Sequence, residues 1–179
     1  MYTNVFAVLL AIPLGVLAAW KVNTWIDRLV MVISTLGFSI PLFWLGFILM
    51  IIFALKIPIL PVAGYISPTE DVGEYFRYLV LPVVSTGVVV LSLIARMTSA
   101  TVLETLNEDY IRTARAKGLA ESSVLIKHAL RNALLPIITI VGIGFGLLLG
   151  GVVVTENVFA IPGLGRLLVN AITHRDYPI

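Results

Sequence analysis

Four runs without a single Asp, Glu, Lys or Arg constrain this chain more than anything else in it. They cover residues 1–20, 29–55, 78–95 and 132–155. A helix rising about 1.5 Å per residue needs about 20 residues to cross a hydrocarbon core about 30 Å thick. The shortest run, 78–95, has 18 residues and crosses with the help of Arg96, whose side chain can reach back to the interface. Inside lipid every backbone polar group must find its partner within the segment, so runs of this length fold as helices. The expected fold is therefore all-α, a polytopic transmembrane helical bundle with four spans. Composition agrees, with 59% hydrophobic residues, 12% charged residues and a mean hydropathy of +1.04, against about 45–50% and about 25% in soluble domains.

The basic residues orient the bundle. Lys21, Arg28, Arg96, Arg112, Arg115, Lys117, Lys127 and Arg131 fall at one end, whereas Lys56, Arg77, Arg166 and Arg175 fall at the other. The positive-inside bias puts the first group in the cytoplasm and both chain ends outside. Residues 1–20 lack the basic leader and small-residue cleavage site of a secretory signal. An exterior start and an exterior stop read as a piece of a longer bundle, with a further helix on each side.

Helix breakers punctuate the spans. Pro13 with Gly15, and Pro41 between Gly37 and Gly46, sit at membrane depth. They read as packing kinks, with a bend lining a solute path as the alternative. Between the second and third spans, Pro58, Pro61, Gly64 and Pro68 mark an exterior loop that ends in a short surface helix near residues 72–78. In the fourth span Gly142, Gly146 and Gly150 recur every four residues, a small-residue stripe for a close helix neighbour in this chain or another. Beyond it Pro162, Gly163 and Gly165 form a turn, and Leu164, Leu167, Leu168 and Ala171 outline a short amphipathic helix at the outer surface. Glu156 and Asp176 flank that segment, and Glu156 is a candidate gate.

One stretch cannot enter lipid. Residues 104–136 hold nine of the chain's 22 formal charges, and each would cost about 2.5–3.5 kcal/mol near the bilayer centre. Asn107 as N-cap, Glu108 and Asp109 in the first turn, Lys117 in the last and Gly118 as a left-handed stop predict a short helix over 108–117, with Glu108 and Arg112 paired across one turn. Tyr110, Ile111 and Ala114 share its apolar face. A second helix starts at Ser122 or Ser123 and ends before Pro136. Its apolar stripe is Ile126, Ala129, Leu130 and Ala133, and its basic stripe is Lys127 and Arg131, which predicts a helix lying along the cytoplasmic interface. On pattern alone the stretch also reads as a solvated amphipathic loop.

Several function classes drop out. The net charge of +2 gives no basis for binding nucleic acid. There is no Cys, and His128 and His174 lie too far apart in sequence to outline a metal site. Gly37-Phe38-Ser39-Ile40-Pro41 lacks the second glycine of a nucleophile elbow, and no span holds a His. Ion-coupled secondary transport needs carboxylates within the spans, and none lies away from their ends. A channel or transporter working without an ATPase stays open as the alternative.

The order of span, helix, Gly118, helix, Leu135-Pro136 and span resembles the cytoplasmic loop of ABC-importer permease subunits. That family carries the motif E-A-A, three residues, Gly. Aligned on the glycine, Arg112, Thr113 and Ala114 occupy the three motif positions, so only the last Ala is kept, and Leu-Pro lies five residues further on than in the general pattern. These departures match the dipeptide, oligopeptide and nickel branch, which the segments at 109–119 (DYIRTARAKGL) and 128–136 (HALRNALLP) resemble. FWLGFIL at 43–49, LPVAGY at 60–65 and TENVFAIPGLGRLLVNAITHRDYP at 155–178 resemble the same branch.

The resemblance implies a multi-pass subunit of the inner (cytoplasmic) membrane, of type I ABC importer permease fold, with four of six spans present. Residues 1–179 would be one transmembrane permease domain, with 104–136 as its coupling loop. It implies no cofactor. Its partners would be cytoplasmic ABC ATPase subunits, a second permease subunit, an extracytoplasmic substrate-binding protein and the lipid bilayer. The subunit itself would be no enzyme, because ATP hydrolysis would sit on the ATPase. Arg112, Thr113, Ala114, Arg115, Lys117, Gly118 and Ser122 would meet that ATPase. The substrate would be a dipeptide, an oligopeptide, glutathione or nickel. No metal-ligand cluster in the spans favours nickel, so peptide is the expected class.

Overall fold

The computed structural model describes residues 2–175, and among them every regular element is helical. The elements are α1 (Tyr2–Trp20), α2 (Trp25–Ser39), α3 (Leu42–Met50) with a π-helical end (Ile51–Lys56), α4 (Val72–Leu106), α5 (Asp109–Ala116), α6 (Glu121–Ser123), a π-helical segment (Val124–Leu130), α7 (Arg131–Val158) and α8 (Leu164–His174). The chain is a helical bundle, as expected. Among the described residues three helices are long and apolar enough to cross a membrane, and the bent pair α2 and α3 makes a fourth if it is one span.

α4 is the axis of the bundle, and α1, α2, α3 and α7 all pack on it. The closest neighbour is α1, which buries Ala7, Ala11, Gly15 and Ala18 on one face. Small residues at this spacing let two helix backbones approach, which is how helices associate where lipid removes the hydrophobic drive. The pair is parallel: Tyr2 meets Tyr75 and Phe76 ring to ring at 6.4 and 6.0 Å, and Ala19 joins Val102 at the other end. α7 returns antiparallel, with Ala133 and Ile137 beside Val102 and with Thr155 hydrogen-bonded to Thr86 across 2.9 Å.

The kink expected at Pro41 in the 27-residue second span is a full break between two helices. The span breaks at Ile40-Pro41, and α2 and α3 meet at 101°. Pro41 lacks an N–H and pushes Ile40 into extended backbone (φ −79°, ψ 125°). Its contacts still advance along α4: Gly37 lies against Ser92 and Val88, Met50 joins Leu81, and the Ile59 carbonyl accepts from Arg77 at 2.9 Å. A re-entrant loop would turn back along α4, so the pair reads as one broken span.

Two further expectations change. The short surface helix near 72–78 is the first two turns of α4, a single helix of 35 residues capped by Asp71, whose Oδ1 accepts from the N–H groups of Gly73 (2.7 Å) and Glu74 (3.1 Å). The second helix of the charged stretch does not stop before Pro136. It runs through α6 and the π-helical segment into α7, with helical backbone at both joins. Burying Ala129, Ala133 and Ile137 along one line offsets the cost of the exposed Pro136. Its inward face is Val124, Leu125, Ala129 and Ala133, while Ile126 points out.

Candidate coupling site

α5 is fixed by its own sequence at its C-terminal end, whereas no side chain caps its start. Asn107 does not begin it. Asn107 closes α4 instead, its Nδ2 donating to the Leu103 carbonyl at 3.1 Å, and Glu108 (φ −69°, ψ 148°) stands at the start of α5. The end follows the sequence closely. Gly118 has φ +76°, its N–H donates to the Arg115 carbonyl at 2.9 Å, and the Leu119 N–H donates to the Ala114 carbonyl at 3.4 Å. This pair of bonds is the Schellman arrangement, and a glycine makes the left-handed turn without strain.

Three contacts clamp α5 to the segment that follows. Ile111 and Ala114 are buried against Val124 and Ala129. Arg115 reaches across the Gly118 turn to Glu121, Nε to Oε1 at 2.8 Å and a second guanidinium nitrogen to Oε2 at 3.3 Å. The Tyr110 hydroxyl accepts from Asn132 Nδ2 at 2.8 Å. The helix, the turn and the first turns of the fourth span therefore form one braced unit.

This sorts the expected site residues. Arg112, Thr113, Lys117, Gly118 and Ser122 are exposed on the outer face of the unit. Arg112 pairs weakly with Asp109 (3.7 Å) in place of Glu108. Ala114 faces inward and Arg115 is engaged with Glu121, so these two hold the unit together. Sequence reasoning missed Glu121 and Asn132. Opposite charges flanking a predicted glycine stop were the available signal for Glu121, whereas nothing local marks Asn132.

The glycine stripe divides. Gly142 and Gly146 are exposed, and a Cβ at either would meet open space. Gly144 packs inward, where a Cβ would come within 3.2 Å of Val90 Cγ1. The surroundings of Gly150 lie outside the described residues.

Glu156 sits where α7 meets α8. Its Oε2 accepts from the Arg166 N–H at 2.9 Å, capping the first turn of α8, and Gly163 leaves room for the carboxylate. Arg166 donates from its side chain to the Ala160 carbonyl at 2.8 Å, which closes the turn. Glu156 also lines a cavity of about 370 Å³ between α1, α4 and α7, together with Asn4, Thr86, Phe145 and Thr155. Asn4 is 3% exposed there, and its Oδ1 has no hydrogen-bond partner among the described residues. Asp176 lies outside the described residues.

The family described as the binding-protein-dependent transport system inner membrane component matches residues 11–179. The chain belongs to this family. As an inner membrane component it is 46% identical over 177 residues to a probable peptide ABC transporter permease protein of Sinorhizobium fredii, covering 99% of this chain and 56% of that protein. It is 38% identical to a dipeptide transport system permease protein of Alkalihalophilus pseudofirmus (100% and 60% covered). It is 44% identical to a glutathione transport system permease protein of Salmonella typhimurium (98% and 55% covered). This inner membrane component thus spans somewhat more than half the length of these relatives.

Proposed function

We propose that this chain forms the membrane-spanning part of a permease subunit in an ATP-driven importer of peptides. The observation that supports it most is the braced α5 unit: a capped helix fixed to the fourth span, with Arg112, Thr113, Lys117 and Gly118 turned outward. A rigid element of this kind passes a partner's displacement into the bundle as a rigid-body movement. In this reading 104–136 is the coupling loop, a cytoplasmic ATPase subunit docks on α5, and hydrolysis takes place there and not in this chain. ATP moves the bundle only through contacts that differ between its inward and outward states. A second permease subunit and an extracytoplasmic binding protein complete the assembly. The names of three relatives refer to a peptide, a dipeptide and glutathione, which share the peptide bond and support peptide as the substrate class.

The test is co-purification of the full-length subunit from its own cells. An ATPase subunit is expected to come with it and to be lost when Arg112 and Lys117 are both replaced by Glu. A stable, transport-competent assembly without any ATPase would overturn the proposal. The Arg115–Glu121 pair is 42% and 55% exposed, so Arg115→Ala is expected to cost no more than about 1 kcal/mol, read as a small drop in thermal midpoint of the purified subunit.

Glu156 fits a gate in the sense of a latch, since it fixes α8 to the end of α7. Removing a cap costs about 0.5–2 kcal/mol. Glu156→Ala is therefore expected to speed amide hydrogen exchange over residues 164–174 while leaving 2–106 unchanged, and equal exchange in α8 would remove this role.

A further inference from the structure

A basic groove beside the coupling unit has no role in the reading above. It measures about 940 Å³ and is lined by Tyr110, Lys127, His128, Arg131 and Asn132 on its polar side and by Ile126, Leu130 and Leu134 on its apolar side. Neither Lys127 nor Arg131 is paired with a carboxylate, since the ion pairs among the described residues are Arg77–Glu74, Arg112–Asp109 and Arg115–Glu121. The two cations stand one turn apart on the π-helical segment and its exit, so they converge on one patch.

Depth is fixed by the neighbours. Ala133 packs with Val102 and with Ala19, and Ala19 is followed by Trp20 and Lys21, whose ammonium lies 5.0 Å from the indole centroid. A Trp and a Lys closing an apolar span mark the water–lipid boundary. Arg131 lies two positions and Lys127 six positions before Ala133, which puts them at headgroup level. On the other side of Ala133 the outward side chains are apolar: Leu135 is 76% and Ile138 63% exposed. Cations at the boundary with a hydrocarbon-facing wall beside them match an anionic headgroup with its acyl chains attached.

We propose that this groove is a binding site for an anionic phospholipid of the cytoplasmic leaflet. The phosphate sits against Lys127 and Arg131, and the acyl chains lie along Leu135 and Ile138. An ATPase surface would satisfy the charges but not the exposed Leu135 and Ile138, which belong to the charge-free fourth span. Tyr110, bonded to Asn132 in the groove wall, makes the bound lipid a neighbour of α5.

The experiment uses the full-length subunit in detergent, titrated with phosphatidylglycerol or phosphatidylcholine and read by native mass spectrometry. Two basic side chains at about 1 kcal/mol each predict about 30-fold weaker phosphatidylglycerol binding in K127Q/R131Q, with phosphatidylcholine unaffected and K127R/R131K like the parent. Unchanged phosphatidylglycerol binding in K127Q/R131Q overturns the proposal. So does loss of a co-purifying ATPase with lipid binding intact, which would assign the face to protein. Should K127Q/R131Q not fold, acetylation of Lys127 in the parent decides: phosphatidylglycerol but not phosphatidylcholine protects it, and equal labelling with both overturns the site.

Discussion

Gly118→Pro in the full-length subunit is expected to abolish the proposed ATP-driven uptake of a labelled dipeptide while the amount of protein in the membrane stays at the parent level. Gly118 has φ +76°, and proline is fixed near −65°, so the turn cannot form. The N–H that closes onto the Arg115 carbonyl disappears as well. Insertion is spared because Gly118 lies outside the charge-free spans and is exposed. A graded series separates backbone from bulk. A Cβ at 118 would meet nothing within 4 Å, so the chain itself has room for a side chain. Asn tolerates the left-handed turn and is expected to retain most transport. Val adds about 1–2 kcal/mol of backbone strain, which disfavours the turn about 5- to 30-fold and lowers docking by up to that factor. If Gly118→Asn fails as completely as Gly118→Pro, the missing space is on a docked partner. Full uptake by Gly118→Pro at parent membrane levels would remove α5 from the transport cycle.

How much of this could be read from the residues alone depends on how local the cause is. The end of α5 was legible because Gly118, Lys117 and Arg115 act within one turn. The start was not, since Asn107 can end one helix or begin the next, and the structure uses it to close α4. The end of the second helix of the charged stretch was not legible at Pro136, where a local preference lost to a line of buried contacts from Ala129 to Ile137. The break at Pro41 was legible as a kink, but its size depends on how α2 and α3 each fit against α4. Glu156 was singled out for its charge near the outer end, yet its bond to the Arg166 N–H joins residues ten apart across a turn whose geometry no pattern specifies. An ordinary helical period puts Ile126 on the apolar stripe with Ala129 and Ala133, and the π-helical segment shifts that period so that Val124 and Leu125 share their inward face instead.

Close packing gives the second large effect, and it falls on a glycine outside the conspicuous stripe. At Gly15 a Cβ would lie 2.6 Å from the Ala95 carbonyl oxygen and 2.6 Å from Thr98 Cβ. The first obstacle is α4 backbone, which cannot rotate aside, so α1 and α4 must move apart along the contact that also buries Ala7, Ala11 and Ala18. Overpacking costs about 1–3 kcal/mol even where side chains can adjust, and here the small-residue contact is itself the attraction between the helices. Gly15→Leu is expected to remove most of the folded full-length subunit in detergent, measured by size-exclusion fluorescence after a heat step, with Gly15→Ala intermediate. A Cβ at Gly142 or Gly146 meets nothing among the described residues, so Gly142→Leu and Gly146→Leu are expected to leave the α1–α4 contact intact and to lower heat-step survival less than Gly15→Leu does. The reverse ranking would show that the stripe in α7, and not the Ala–Gly face of α1, holds this bundle together. If Gly142→Leu leaves the subunit folded but prevents two permease subunits from pairing, Gly142 and Gly146 serve a helix of the other subunit, which accounts for two glycines that the described residues leave uncovered.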